Sequence, residues 1–189
     1  MKEQEFDRLQ IELSVKAKNG IDFITAATLI WIGITVIWAQ DLTAYNKSIF
    51  TFIVSGVMLP LAFALSKVYK TIWTVKENPL QPLGLILNIA QLFYFPFLFF
   101  ILSKSPDHFV MTYAIITGAH FFPYFWYYKE KAFAIIGGLI AVGSFLIGIK
   151  VESTQMFYIP AFTGFCLFVL GIFIYKSAKE RAKSSNGDG

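Results

Sequence analysis

Six stretches of the chain carry no Asp, Glu, Lys or Arg, and every such residue lies in the segments between or beyond them. The uncharged runs are Phe23 to Gln40, Ser48 to Ser66, Asn78 to Ser103, Phe109 to Tyr128, Ala132 to Ile149 and Ser153 to Tyr175. Crossing about 30 Å of hydrocarbon as a helix takes about 18–20 apolar residues, and each run reaches or exceeds that length. The pattern predicts an all-α polytopic membrane protein: a bundle of six transmembrane helices over about 21–40, 48–66, 83–103, 108–128, 132–149 and 157–175, making a domain of residues 19–176. Ahead of it, Phe6, Leu9, Leu13 and Ala17 recur every three to four positions. Residues 1–18 therefore read as an amphipathic helix lying on the inner leaflet, with a partner-docking helix as the alternative. After it, the polar stretch KERAKSSNGDG predicts a disordered cytoplasmic tail over 177–189.

Composition agrees with this reading. At 56% hydrophobic and 15% charged residues, a soluble domain of 189 residues could not bury its apolar surface. The sequence pI of about 9.1 need not mean nucleic acid, because the basic residues sort by side of the membrane. In the six-span arrangement thirteen Lys and Arg fall on the side of the two termini, and only Lys47, Lys104 and Lys150 fall on the other. The positive-inside rule then places both termini in the cytoplasm. Trp38 and Trp126 sit near opposite span ends, where an amphipathic ring favours the interface. Trp73 is expected to anchor the loop KVYKTIWTVKENPLQP along the headgroups, and Pro82 suits the first turn of span three. The first 18 residues lack the apolar core of a secretory signal. The single cysteine, Cys166, excludes a disulfide framework and a Cys-based metal site.

Spans two, four and six share a hydroxyl–glycine pair at a similar height: Ser55-Gly56, Thr117-Gly118 and Thr163-Gly164, followed after 12, 12 and 13 residues by Lys67, Lys129 and Lys176. Such pairs let another helix approach closely, and three like-oriented helical hairpins would follow. Span five adds Gly138 among its glycines as a further packing position.

No run holds a carboxylate, which argues against an intramembrane aspartyl or glutamyl catalyst and against a buried carboxylate relay. The polar groups left inside are His120, Asn88 and Gln91. His120 lies nine residues before Lys129, about 13 Å along a helix, and Gln91 lies at a similar depth, eight residues after Leu83. Spans three and four, joined by a short outer turn, are expected to be antiparallel neighbours that bring the two together. Tyr113, Thr117, His120, Tyr124 and Tyr127 fall on one face of span four, facing Gly84, Asn88, Gln91 and Phe95. Pro123 frees the Ala119 carbonyl, while Pro60 and Pro96 interrupt their own spans. Two readings stay open. In one, these groups bond across helices and hold spans three and four in register. In the other they line a cavity binding a small polar or protonatable ligand at His120, Gln91, Asn88, Tyr124, Tyr127 and Thr117. A lone membrane histidine supplies too few ligands for a metal, and no cofactor is indicated.

The segments NPLQPLG (78–84), AQLFYFPF (90–97) and GAHFFPYFWYYKEKAF (118–133) resemble a family of small bacterial membrane proteins annotated only as a domain of unknown function. The resemblance runs from about Ala17 to Tyr175, with Gly-Ala-His-Phe-x-Pro-Tyr-x-Trp as its most specific element. It implies a six-span protein of the bacterial plasma membrane and carries no activity, substrate or cofactor. The expectations for function are therefore a small transporter or ligand-binding protein with a pocket between spans three and four, or a non-catalytic membrane partner (stress, immunity or assembly factor) with its bundle packed shut. An enzyme is disfavoured, since no nucleophile–base pair is visible. The expected surroundings are a lipid bilayer and a small polar ligand, without nucleic acid; Gly-rich span five would serve internal packing or an oligomer equally.

Overall fold

The computed structural model describes residues 3–187, and every regular element among them is helical. Helix α1 (Glu3–Lys16) is followed by α2 (Ile21–Trp38), α3 (Ala44–Ser55), α4 (Met58–Tyr69), α5 (Gln81–Ala90), α6 (Phe95–Lys104), α7 (Phe109–Tyr127), α8 (Lys131–Gly148) and α9 (Tyr158–Gly187). Five helical stretches are long and apolar enough to cross a membrane: Lys18–Trp38, Ala44–Tyr69, Gln81–Lys104, Lys131–Gly148 and Ser153–Ser184. Helix α7 is long enough, but His120, Pro123 and its tyrosines lower its mean hydropathy, and it falls outside that set. Large apolar side chains point outward along these helices, with Phe93 at 81%, Val68 at 73% and Ile135 at 67% exposure. An apolar exterior of this extent, on helices of this length, suggests a membrane protein.

The framework consists of α7 packed along α8 and α2 along α9, with α8 and α9 joining the two pairs. Ile34, Val110, Ala114, Ile140, Leu167 and Leu170 are fully enclosed between them. The remaining helices are hung on the outside: α3 and α4 lean on α2, while α5 and α6 lean on α7. Helices α4 and α5 share no extensive contact.

The two hung segments are broken, and proline explains both breaks. Pro60 cannot donate to the Gly56 carbonyl, and the helix stops at Ser55 and restarts at Met58. Pro96 cannot donate to the Leu92 carbonyl, which accepts instead from the Phe95 N–H in the 3-10 turn Gln91–Tyr94. Pro123 leaves α7 unbroken from Phe109 to Tyr127.

Helix α1 lies across one end of the bundle. Its buried face is Gln10, Leu13 and Ser14. Gln10 donates to the Trp126 carbonyl at 2.5 Å, Asn78 donates to the Leu9 carbonyl and to Glu12 at 2.9 Å each, and Arg181 Nη1 donates to Ser14 Oγ at 2.7 Å. Lys129 pairs with Asp7 at 2.5 Å. The expected tail begins as helix instead: α9 continues without interruption to Gly187, so residues 177–187 are helical rather than disordered, while residues 188 and 189, like Met1 and Lys2, lie outside the described residues. Ala, Lys, Glu and Arg are good helix formers. The extension is also pinned, because Ser177 donates to Glu130 and Arg181 donates to the Tyr128 and Lys129 carbonyls at 2.7 Å each. Trp38 differs from expectation as well. It is buried at 2% exposure, its indole N–H donating to Thr51 Oγ1 at 3.0 Å, and Lys47 caps its carbonyl at 3.1 Å.

Candidate functional site

A cavity of about 500 Å³ opens where α2, the α3–α4 break, the α5–α6 segment and α7 meet. Phe23, Ala27 and Trp31 of α2 form one wall. Ser55, Gly56 and Leu59 around the first break form the second, and Asn88, Gln91 and Phe95 around the 3-10 turn form the third. Tyr113, Thr117, His120 and Tyr124 form the fourth, at i, i+4, i+7 and i+11 of one α7 face. Both proline-induced breaks thus border the cavity.

Asn19 and Gly20 close the end nearest α1, with Tyr128 and Phe133. Lys18, Asn19 and Gly20 all carry left-handed φ values, at 47°, 54° and 70°. Only glycine adopts this without cost, and asparagine tolerates it better than most residues. Asn19 is held there by its side chain, whose oxygen accepts from Ser14 Oγ at 2.6 Å and whose amide donates to the Ile174 carbonyl at 3.0 Å. Beside it, the buried Asp22 carboxylate accepts from Thr71 Oγ1 and from the Trp73 indole N–H, both at 2.6 Å. This fastens the 71–80 loop to the start of α2. Trp73 is thus an anchor to the protein through its polar edge.

The cavity contains no side chain of Asp, Glu, Lys or Arg. Its polar groups are incompletely satisfied. The Tyr124 hydroxyl is buried with no hydrogen-bond partner. Ser55 Oγ is likewise buried and unpaired, lying near the Tyr113 hydroxyl without reaching bonding geometry. His120 and Gln91 both line the cavity, and their side chains make no hydrogen bond to each other or to any other described residue. Asn88 spends one amide hydrogen on the Gly84 carbonyl at 2.9 Å, and Thr117 bonds back to the Tyr113 carbonyl at 2.9 Å. Buried polar groups are nearly always paired, so two bare hydroxyls around one cavity are an unusual concentration.

Of the residues singled out by spacing, His120, Gln91, Asn88, Thr117 and Tyr124 come together at this cavity. Tyr127 does not line it; its hydroxyl rests where a side chain on Gly84 would stand, 2.5 Å from the position of a Cβ. Ala119 is absent from the lining as well. The hydroxyl–glycine pairs have three different settings. Gly118 meets Gly137 of α8 backbone to backbone, Gly164 lies against Trp31 and Ile32 of α2, and Gly56 sits at the α3–α4 break beside its own Ile53 carbonyl. Thr163 bonds back to the Ile159 carbonyl at 2.9 Å. Gly138 faces open space, its neighbour Gly137 making the close approach. The spacing argument did not identify Asn19, Gly20, Trp31 or Tyr128 as lining residues. The Asn-Gly dipeptide was the available signal for the first two.

Long apolar helices around an uncharged cavity, with bare hydroxyls in its lining, make an all-helical protein compatible with the membrane class. The chain belongs to the family of unknown function DUF7010, whose sequence model matches residues 6–177, from α1 to the pinned part of α9 and including every cavity residue. No curated protein and no solved structure matches the chain.

Proposed function

We propose that the protein is a ligand-binding integral membrane protein of the bacterial plasma membrane, crossing the bilayer six times with both termini in the cytoplasm, and that its cavity is the binding site. The observation that carries the reading is the Tyr124 hydroxyl, buried and without a partner, with Ser55 Oγ in the same condition elsewhere in the lining. A buried unpaired hydroxyl costs about 1–3 kcal/mol, and a ligand oxygen or nitrogen in the cavity would remove that cost. A volume of about 500 Å³ lies within the range of about 300–1,000 Å³ typical of small-molecule sites. For the topology, support comes from the basic residues: Lys16, Lys18, Lys129 and Arg181 gather at the α1 end through their contacts, whereas Lys47 caps α2 at its other end. The six crossings count α7, which carries one wall of the site and tolerates its polar groups because neighbouring helices enclose much of it.

Thermal melts of the detergent-solubilised protein against a panel of small neutral compounds test the binding. A ligand at 100 times its Kd stabilises by about 2.7 kcal/mol. The expected result is a compound that raises the midpoint of the wild type and fails to do so in Tyr124→Phe and His120→Ala. Equal shifts in all three proteins would remove these residues from the site. A panel with no stabilising member would favour the other reading, a membrane partner whose bundle works closed.

A further inference from the structure

We infer that the cavity takes a neutral amphiphile, an uncharged head bearing hydroxyl or carbonyl oxygens on an apolar body, and that this ligand enters sideways from the lipid between α4 and α5. The inference rests on the binding reading above and adds both the class of ligand and its route.

The route follows from the packing. Helix α4 leans on α2 and α5 on α7, and α4 and α5 share no extensive contact with each other. The cavity residues along that seam are apolar and open to the outside: Leu59 is 65% exposed, Leu85 63% and Leu92 55%. Leu92 lies eleven residues into the Gln81–Lys104 segment, about 17 Å along it, and Leu59 lies ten residues before Tyr69, about 15 Å. The mouth therefore sits within hydrocarbon depth, where exposed leucines meet acyl chains. At the α1 end, by contrast, the cavity stops at Asn19 and Gly20, whose turn is held by the bonds from Ser14 and to Ile174.

The ligand class follows from the lining. No side chain of either sign is present to pair with an ionic head, and a bare charge among Trp31, Phe52 and Phe95 would be strongly penalised. A neutral head is matched by what is there. The Tyr124 and Ser55 hydroxyls have unused hydrogen-bonding capacity, and the His120 ring and Gln91 side-chain amide line the same cavity unengaged. An apolar body would lie over Phe95, Leu92 and Leu59, toward the seam.

Photolabelling in phosphatidylcholine nanodiscs tests both parts, using three diazirine probes: a dodecanol, a dodecyltrimethylammonium and a butanol. The dodecanol probe is expected to label cavity peptides saturably, with at least fivefold less saturable labelling in Tyr124→Phe/Ser55→Ala and in Leu59→Trp, which obstructs the seam. The ammonium probe is expected to label the cavity no more than the lipid-facing surface. Saturable labelling by the ammonium probe overturns the neutral-head assignment. Labelling by butanol with none by dodecanol overturns entry from lipid while leaving a binding cavity in place. No saturable labelling by either alcohol overturns the ligand class and the binding reading together. Full dodecanol labelling in Leu59→Trp overturns the seam as the route.

Discussion

Replacing Gly118 by alanine would place a Cβ 2.5 Å from the Gly137 carbonyl oxygen and 2.7 Å from the Ala141 nitrogen, both of them backbone atoms of α8. The collision is reciprocal, since a Cβ on Gly137 would stand 2.6 Å from the Gly118 oxygen. No rotamer change relieves a contact with main chain. Ordinary contact begins at 3.4 Å, so α7 and α8 must separate by about 1 Å. That separation falls on the most extensively packed helix pair in the molecule. Overpacking of this kind costs about 1–3 kcal/mol, offset in part by the better helix propensity of alanine, up to about 1 kcal/mol. The expected net loss is about 1 kcal/mol, read as a lowered midpoint in SDS titration or thermal melting of the micelle-bound protein. Gly138→Ala is the matched control, one residue along the same partner helix, where a Cβ meets nothing within 4 Å. It should be neutral or slightly stabilising. The double variant Gly118→Ala/Gly137→Ala should lose less than the sum of its parts, because a single separation of the helices relieves both collisions. Equal midpoints for Gly118→Ala and Gly138→Ala would refute the close crossing.

Three further predictions concern the end of the bundle that carries α1. Arg181→Ala removes the donors to Ser14 and to the Tyr128 and Lys129 carbonyls. At about 2 kcal/mol for the set, amide exchange of residues 4–16 should rise roughly 30-fold while α8 is unchanged; unchanged α1 exchange counts against the clamp. Asp22→Ala strands the Trp73 indole N–H and the Thr71 hydroxyl and should lower the thermal midpoint more than Asp22→Asn, which keeps one acceptor oxygen. Equal effects would mean that the loop is held by other contacts. The hydrogen bond from Lys16, 2.7 Å away, holds the Glu12 carboxyl below its ordinary value of 4.5, aided by Asn78. A depressed carboxylate stabilises the folded state above its unfolded value, and that contribution is lost as pH falls through the folded value. The difference in α1 protease resistance between wild type and Glu12→Gln should therefore be full above about pH 5, begin to fall near 4.5 and vanish once pH drops below the lowered folded value; a difference that persists through strong acid contradicts the assignment.

The helical segments were legible because long runs without charge suit helices in hydrocarbon, although two of the six runs each fold as a broken pair, α3–α4 and α5–α6. What sequence spacing could not convey is which surface each element meets. An amphipathic helix on a membrane and one docked on its own protein show the same repeat, and α1 takes the second course through Gln10 and Ser14. The polar residues after Tyr175 read as a tail, yet their helix propensity is high and Ser177 and Arg181 find partners on the α7–α8 turn. Trp38 looked interfacial because Thr51, its partner, is brought to it only by the α2–α3 hairpin. At the site, the i, i+3, i+7 face of α7 places Thr117, His120 and Tyr124 along one cavity. Tyr127 shares that face but stands seven residues further along than His120, about 10 Å. At that level α5 is just beginning, and Gly84 leaves room for its ring. The prolines were visible as interruptions. That the breaks they cause at Gly56 and Gln91 would border one cavity depends on how α3–α4 and α5–α6 hang on α2 and α7, which is a property of the assembled bundle.

The unpaired hydroxyls connect stability to function, and the connection has a sign that can be measured. Tyr124→Phe keeps the ring contacts with Phe133 and Tyr128, at centroid distances of 5.8 and 6.0 Å, and deletes only an oxygen that has no partner. Removing a buried unsatisfied group relieves its desolvation cost, so the empty protein should gain about 1 kcal/mol. Ser144→Ala in α8 should behave alike, because its hydroxyl is also buried and unpaired, but Ser144 does not line the cavity. If the cavity is a binding site, the two variants separate on adding ligand: Ser144→Ala keeps the ligand-dependent rise in midpoint, and Tyr124→Phe loses most of it. Residues that bind are often kept at some expense to stability, and that expectation holds here for Tyr124 and not for Ser144. A Tyr124→Phe protein that is less stable than wild type when empty would mean that the hydroxyl already has a structural partner, and the main support for a ligand at this wall would be gone.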